Sequence, residues 1–156
     1  DDSEDLLAWR NDPLTRSNSR NGNAVTQQEH AAWLSRVLDD PNRQVWIAAE
    51  GGENVGTTSA LRHEDGSVEI FVTVAPEARG RRLGAVLVSA AVDEARVHWP
   101  DARLRAEIKP ENTASRKAFD QRLKTELESE EKSAPGILML LQLRDFCFLV
   151  LILFVF

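Results

Sequence analysis

The run Val68-Glu-Ile-Phe-Val-Thr-Val-Ala-Pro-Glu-Ala-Arg-Gly-Arg-Arg-Leu-Gly84 passes directly into Ala85-Val-Leu-Val-Ser-Ala-Ala-Val92, and it constrains the fold more than any other segment. Val68, Ile70, Val72 and Val74 alternate with Ser67, Glu69, Phe71 and Thr73, which is the period of a strand. The apolar residues after Gly84 have helical spacing, so the chain turns from strand to helix between them. A helix start presents unpaired backbone N–H groups and the positive end of the peptide dipole, so a turn placed there can receive a phosphate. Arg79, Arg81 and Arg82 add positive charge, and Gly80 and Gly84 allow positive φ and close approach of a ligand. The plainer alternative is a surface turn with solvated arginines.

The rest of the chain supplies a sheet and helices for this unit. Leu6 to Arg10 begins a helix that Pro13 limits, and Ser17 to Ala24, rich in Asn, Ser and Gly, reads as a loop. Thr26 and Glu29 have capping-box spacing ahead of a helix that carries Ala32, Trp33, Val37 and Leu38 on or near one face and ends by Asp40-Pro41. Gln44 to Ala49 and Val55 to Leu61 form a hairpin around Glu50-Gly-Gly-Glu-Asn54, and a turn at His63 to Gly66 leads into the strand Ser67 to Ala75. Leu104 to Ile108 is a further strand, parallel to the one ending at Ala75 because a helix crosses between them. Asn112 then caps another helix.

With these pieces in order, the chain resembles the GNAT superfamily of acetyl-CoA-dependent N-acetyltransferases. Val74-Ala-Pro-Glu77 followed by Arg79 and Gly84 is similar to that family's pyrophosphate loop, although Arg82 stands where the family has its middle glycine. Asn112, Ser115 and Phe119 match its Asn-x-x-Ser/Ala-x-x-x-Tyr/Phe segment in register. The resemblance implies a mixed α/β (α+β) fold. Its central sheet is mostly antiparallel and flanked by helices, and a parallel strand pair splays apart where acetyl-CoA inserts. It also implies cofactor contacts from Phe71, Val72, Thr73 and Val74 along the splayed strand, from Arg79, Gly80, Arg81, Arg82, Leu83, Gly84 and Ala85 at the phosphates, and from Asn112, Ser115 and Phe119.

The start of the chain narrows the resemblance. Trp9-Arg-Asn-Asp12 and His30-Ala-Ala-Trp33 look like segments of the enzymes that acetylate amino sugars in nonulosonic-acid (pseudaminic-acid type) pathways, and ribosomal-protein acetyltransferases share part of them. Trp9, Arg10, Asn11 and Arg16 are the acceptor-site candidates, since an arginine fork matches phosphates and an aromatic face stacks on a sugar or base. Trp9 is equally well explained as core. Glu69, Glu107 and His30 are the candidate bases, each with the alternative of plain exposure or packing. The chain has no tyrosine to serve as the general acid at the Phe119 position. A catalytically inactive CoA-binding or interaction module is the rival reading.

Charge and composition set outer limits. A net charge of −6 argues against a nucleic-acid-binding surface. One cysteine excludes an internal disulfide and suits a cytoplasmic location, and the three dispersed histidines give no metal-ligand spacing, so no metal is expected. The chain starts Asp1-Asp2-Ser3-Glu4, and the family's first strand is expected to be missing. Residues 1–145 are read as one domain and 146–156 as an atypical apolar tail. That tail is too short to span a bilayer, which takes about 20 residues. A buried strand, a strand paired in a homodimer, a membrane-touching tail and a non-native terminus are its readings. Between Phe119 and Arg144 the helix either runs on through Leu123 and Leu127, or Lys124 to Ser129 and Ile137 to Arg144 pair as strands around Pro135-Gly136.

Overall fold

In the computed structural model, which describes residues 2–122, the polar amino-terminal third folds as helices and the β-branched middle as a meander. Helix α1 (Asp2–Asn11) stops where Pro13 removes a donor, and Pro13 becomes the first residue of α2 (Pro13–Asn18). Asp12 caps α2 by accepting the Thr15 N–H at 2.8 Å. Helix α3 (Gln27–Asp39) starts with both hydrogen bonds of the expected capping box between Thr26 and Glu29, a device worth about 1 kcal/mol. Its inward stripe is His30, Leu34 and Val37, an i, i+4, i+7 set. The expected face including Ala32 and Leu38 is therefore corrected. Both residues are exposed, Leu38 at 71%, because they lie off the stripe that meets the sheet.

Strands β1 (Arg43–Glu50), β2 (Glu53–Arg62), β3 (Val68–Val74) and β4 (Leu104–Arg105) form one sheet in that order. The first two pairings are antiparallel and β3–β4 is parallel. Gly51 and Gly52, at φ 61° and 86°, make the tight β1–β2 turn that L side chains resist. Strand β4 is shorter than the expected Leu104 to Ile108, since pairing ends at Glu69 with Arg105.

The turn after β3 carries a short 3₁₀ segment (Pro76–Ala78) and leads into α4 (Leu83–His98). A fifth helix, α5, begins at Thr113 and runs to the end of the described residues. Val68 and Ile70 of β3 pack with Val88, Ala91, Val92, Leu104 and Phe119 in one core between the sheet and α4. Leu6, Trp9, Val55, Ala75 and Ala78 form a second core where α1 meets the sheet end. The expectations for Lys124 to Arg144 and for the apolar run 146–156 fall outside the described residues.

Candidate acetyl-transfer site

The site begins where β3 outlasts its partner. The Val68 N–H donates to Arg103 O at 2.9 Å on the β4 side, so strand alternation turns the backbone groups of Ile70, Val72 and Val74 to that same edge. Since β4 ends at Arg105, that edge has no strand partner beyond Glu69 among the described residues. Phe71 and Thr73 turn their backbone groups the other way, toward Ser59 and Thr57 of β2. Of the four residues expected to offer backbone to a cofactor, Val72 and Val74 have their backbone groups at this open edge.

The turn that follows is shaped by two positive-φ residues, Gly80 at 79° and Arg82 at 62°. The second explains why a glycine suits that place, since a side chain there costs about 1 kcal/mol in the left-handed region. Arg82 is exposed and makes no side-chain hydrogen bond or ion pair among the described residues, so its charge is available. It is also the N-cap of α4 and gives no side-chain cap, which leaves the first N–H groups of Leu83, Gly84 and Ala85 for another partner. Gly84 departs from the expected use of positive φ. It sits in the helix, where an added Cβ would lie 3.5 Å from Ala118 Cβ of α5, an ordinary contact.

The other two arginines are engaged. The Arg79 guanidinium donates to Asp12 Oδ2 at 2.6 Å and to Thr15 Oγ1 at 2.9 Å, and this hydrogen bond is the main reason the Asp12 carboxyl is held down to about 2. Arg79 thus ties the turn to α2 instead of standing open to phosphate. Arg81 pairs with Glu50 on the β1–β2 hairpin. Asn112 caps α5, accepting the Ser115 N–H at 3.2 Å, with Ser115 half-buried beside it. Phe119 is buried in the main core.

The residues expected at the acceptor take structural tasks. Trp9 is core. Asn11 clamps Val25 from both ends of its amide, at 2.8 Å each. Arg10 donates to Asn21 O at 2.8 Å and Arg16 to Gly22 O at 2.9 Å, so both brace the loop between α2 and α3. His30 is buried, with its ring 5.4 Å from that of Trp33.

The residue missed from the sequence is Arg20, on that same loop. It pairs with Glu69 on β3, and its Nε donates to Glu107 Oε2 at 3.0 Å. Its guanidinium lies 5.9 Å from the Phe71 ring centre. Glu69 is 2% exposed and has His63 Nε2 3.0 Å from its other oxygen, so it is no solvated strand residue. Removing such a carboxylate from water costs several kcal/mol unless cations compensate. Glu107 is 69% exposed, and the Arg20 hydrogen bond holds its carboxyl below the usual range. Arg43 also stands by Phe71, 5.5 Å from its ring centre and 6.0 Å from that of Trp33. Nothing local in the sequence signals Arg20, whose partners lie 49 and 87 positions away.

A strand edge left open, an uncapped helix start with a spare cation, and Asn112 at a second helix start fit a long anionic thioester such as acetyl-CoA. Comparison with known proteins agrees. No curated protein sequence matches the chain. Among solved structures, a ribosomal-protein-alanine N-acetyltransferase from Brucella melitensis superposes with a TM-score of 0.65 at 29% identity, over 78% of this chain and 77% of that one. The spermidine N-acetyltransferase of Vibrio cholerae, in complex with CoA and spermine, has a TM-score of 0.69 at 13% identity over 78% and 73%. An N-acetyltransferase from Staphylococcus aureus Mu50 gives 0.65 at 22% over 77% and 75%. The family model described as acetyltransferase (GNAT) family matches residues 4–123, and the chain therefore belongs to that family of acetyl-CoA-dependent acyltransferases.

Proposed function

We propose that this chain acetylates a primary amine where β3 and β4 part, and that the acceptor is delivered as a cation, as a peptide amino terminus is. The observation that carries the reading is the end of β3–β4 pairing at Glu69 and Arg105, with β3 running on to an uncapped helix start. Val72 and Val74 would bind the pantetheine amides, and Arg82 with the N–H groups of Gly84 and Ala85 the pyrophosphate. Asn112 would lie beside the arm. Acetyl-CoA supplies an acyl group activated as a thioester.

The amine must lose its proton before it attacks a carbonyl carbon. Of the three candidate bases, Glu107 combines a place at the split with access to water, and we assign it the proton. Glu69 is enclosed by Arg20 and His63, and His30 packs on α3. Phe119 cannot donate a proton, so water protonates the departing thiolate.

For the acceptor, a nucleotide-linked amino sugar needs Arg10 and Arg16 to face its phosphates, but Arg10 Nη2 and Arg16 Nε are each turned to a loop carbonyl. Glu69, Glu107 and the face of Phe71 suit a cation instead. The Brucella neighbour, named for acting on ribosomal-protein alanine, supports this choice.

Calorimetric titration with acetyl-CoA tests the cofactor site, and CoA release with an alanine-terminated peptide, spermidine and a nucleotide-linked amino sugar tests the acceptor. The parent and Gly84→Ala bind acetyl-CoA alike, because the added Cβ makes an ordinary contact, while Gly84→Trp loses at least tenfold. Equal affinity in all three removes the phosphate site. CoA release with the nucleotide sugar alone overturns the cationic acceptor.

A further inference from the structure

Arg20 holds its partners in an unequal way. Its side chain is 56% exposed, so it can swing into water at small cost, whereas Glu69 is 2% exposed, and with His63 and Arg105 both on its Oε2 side its Oε1 has Arg20 as its cationic partner among the described residues. The loop does not depend on Arg20 for its place. Arg10 holds Asn21, Arg16 holds Gly22, Asn11 holds Val25, and Lys109 Nζ donates to Ser17 O at 2.6 Å. What Arg20 fills is a small box. One carboxylate comes from β3 and the other from the segment just after β4, and the Phe71 ring gives an electron-rich face to the cation.

We infer that Arg20 is an internal stand-in for the acceptor: its guanidinium occupies a subsite for an ammonium or guanidinium group, and the acceptor binds by displacing it from Glu69 and Glu107. The inference rests on the amine-acetylating reading above. Displacement has a second consequence. The ammonium takes the place of the guanidinium on Glu107, so the proton the amine must lose is brought directly to the carboxylate that takes it. An acceptor with a second cationic group gains most, since one charge stays on Glu69 while the other amine reacts.

The test uses methylguanidinium as a probe, by calorimetry on the full chain, with circular dichroism to confirm folding. Arg20→Ala and the milder Arg20→Gln are expected to bind it at least about tenfold more tightly than the parent. Adding Glu69→Gln to either removes the gain. Equal affinity in the parent and both variants overturns the inference, as does a gain that survives Glu69→Gln. CoA release with spermidine and an alanine-terminated peptide, in the same preparations, separates this inference from the transferase reading. A gained methylguanidinium site without CoA release keeps the stand-in and sinks the reaction; CoA release without the gain does the opposite.

Discussion

Replacing Asp12 with Asn separates the charge of this residue from its capping role, because Asn caps a helix as well as Asp does. In the folded protein the hydrogen bond from Arg79 is the largest cause of the fall of the Asp12 carboxyl from 3.8 to about 2. That fall corresponds to about 2.4 kcal/mol in favour of the ionised folded form. The side chains are 17% and 29% exposed, so solvent screening leaves roughly 1–2 kcal/mol. The folded value lies below the unfolded one, so the contribution is complete above about pH 4 and is lost as pH falls toward 2. About half is gone by pH 3. Urea unfolding of the parent and Asp12→Asn at pH 7, 4.5 and 3 reads this directly. The stability difference should be about 1–2 kcal/mol at the first two and about half that at the third. A difference of zero at pH 7, or one that is equal at pH 7 and pH 3, would refute the ion pair as the tie between the turn after β3 and α2.

Two further outcomes follow from backbone geometry. At Gly56 an added Cβ would lie 2.5 Å from Thr73 O and 2.9 Å from Leu87 Cδ1, so Gly56→Ala should cost about 1–3 kcal/mol in denaturant unfolding, and an unchanged midpoint would contradict that contact between β2 and β3. At Arg82, φ of 62° means that Arg82→Gly should leave stability unchanged or raise it by up to about 1 kcal/mol. The same change should weaken acetyl-CoA binding severalfold by removing the spare cation, and tighter binding by the variant would show that Arg82 crowds the phosphates.

Short-range features were legible in the amino-acid order. Thr26 and Glu29 are three residues apart, Gly51 and Gly52 are adjacent, and Val68 to Val74 alternates within one strand, so each pattern carries its own geometry. The parallel placement of β4 followed as well, since a crossover helix leaves little choice. Two motifs in order were enough to indicate the family, because a phosphate turn and a capped helix are local structures.

The tertiary structure decided which charges are free and which are spent. Arg79, Arg81 and Arg82 look alike in the chain, yet Asp12 lies 67 positions from the first and Glu50 lies 31 from the second, and the third has no partner among the described residues. The same holds for Arg20, whose meeting with Glu69 and Glu107 needs the loop, β3 and the segment after β4 brought together. Helix and turn signals depend on neighbours a few bonds away, whereas ion pairing and burial depend on which distant segments pack, and so the cluster around Arg20 emerged only from the folded chain.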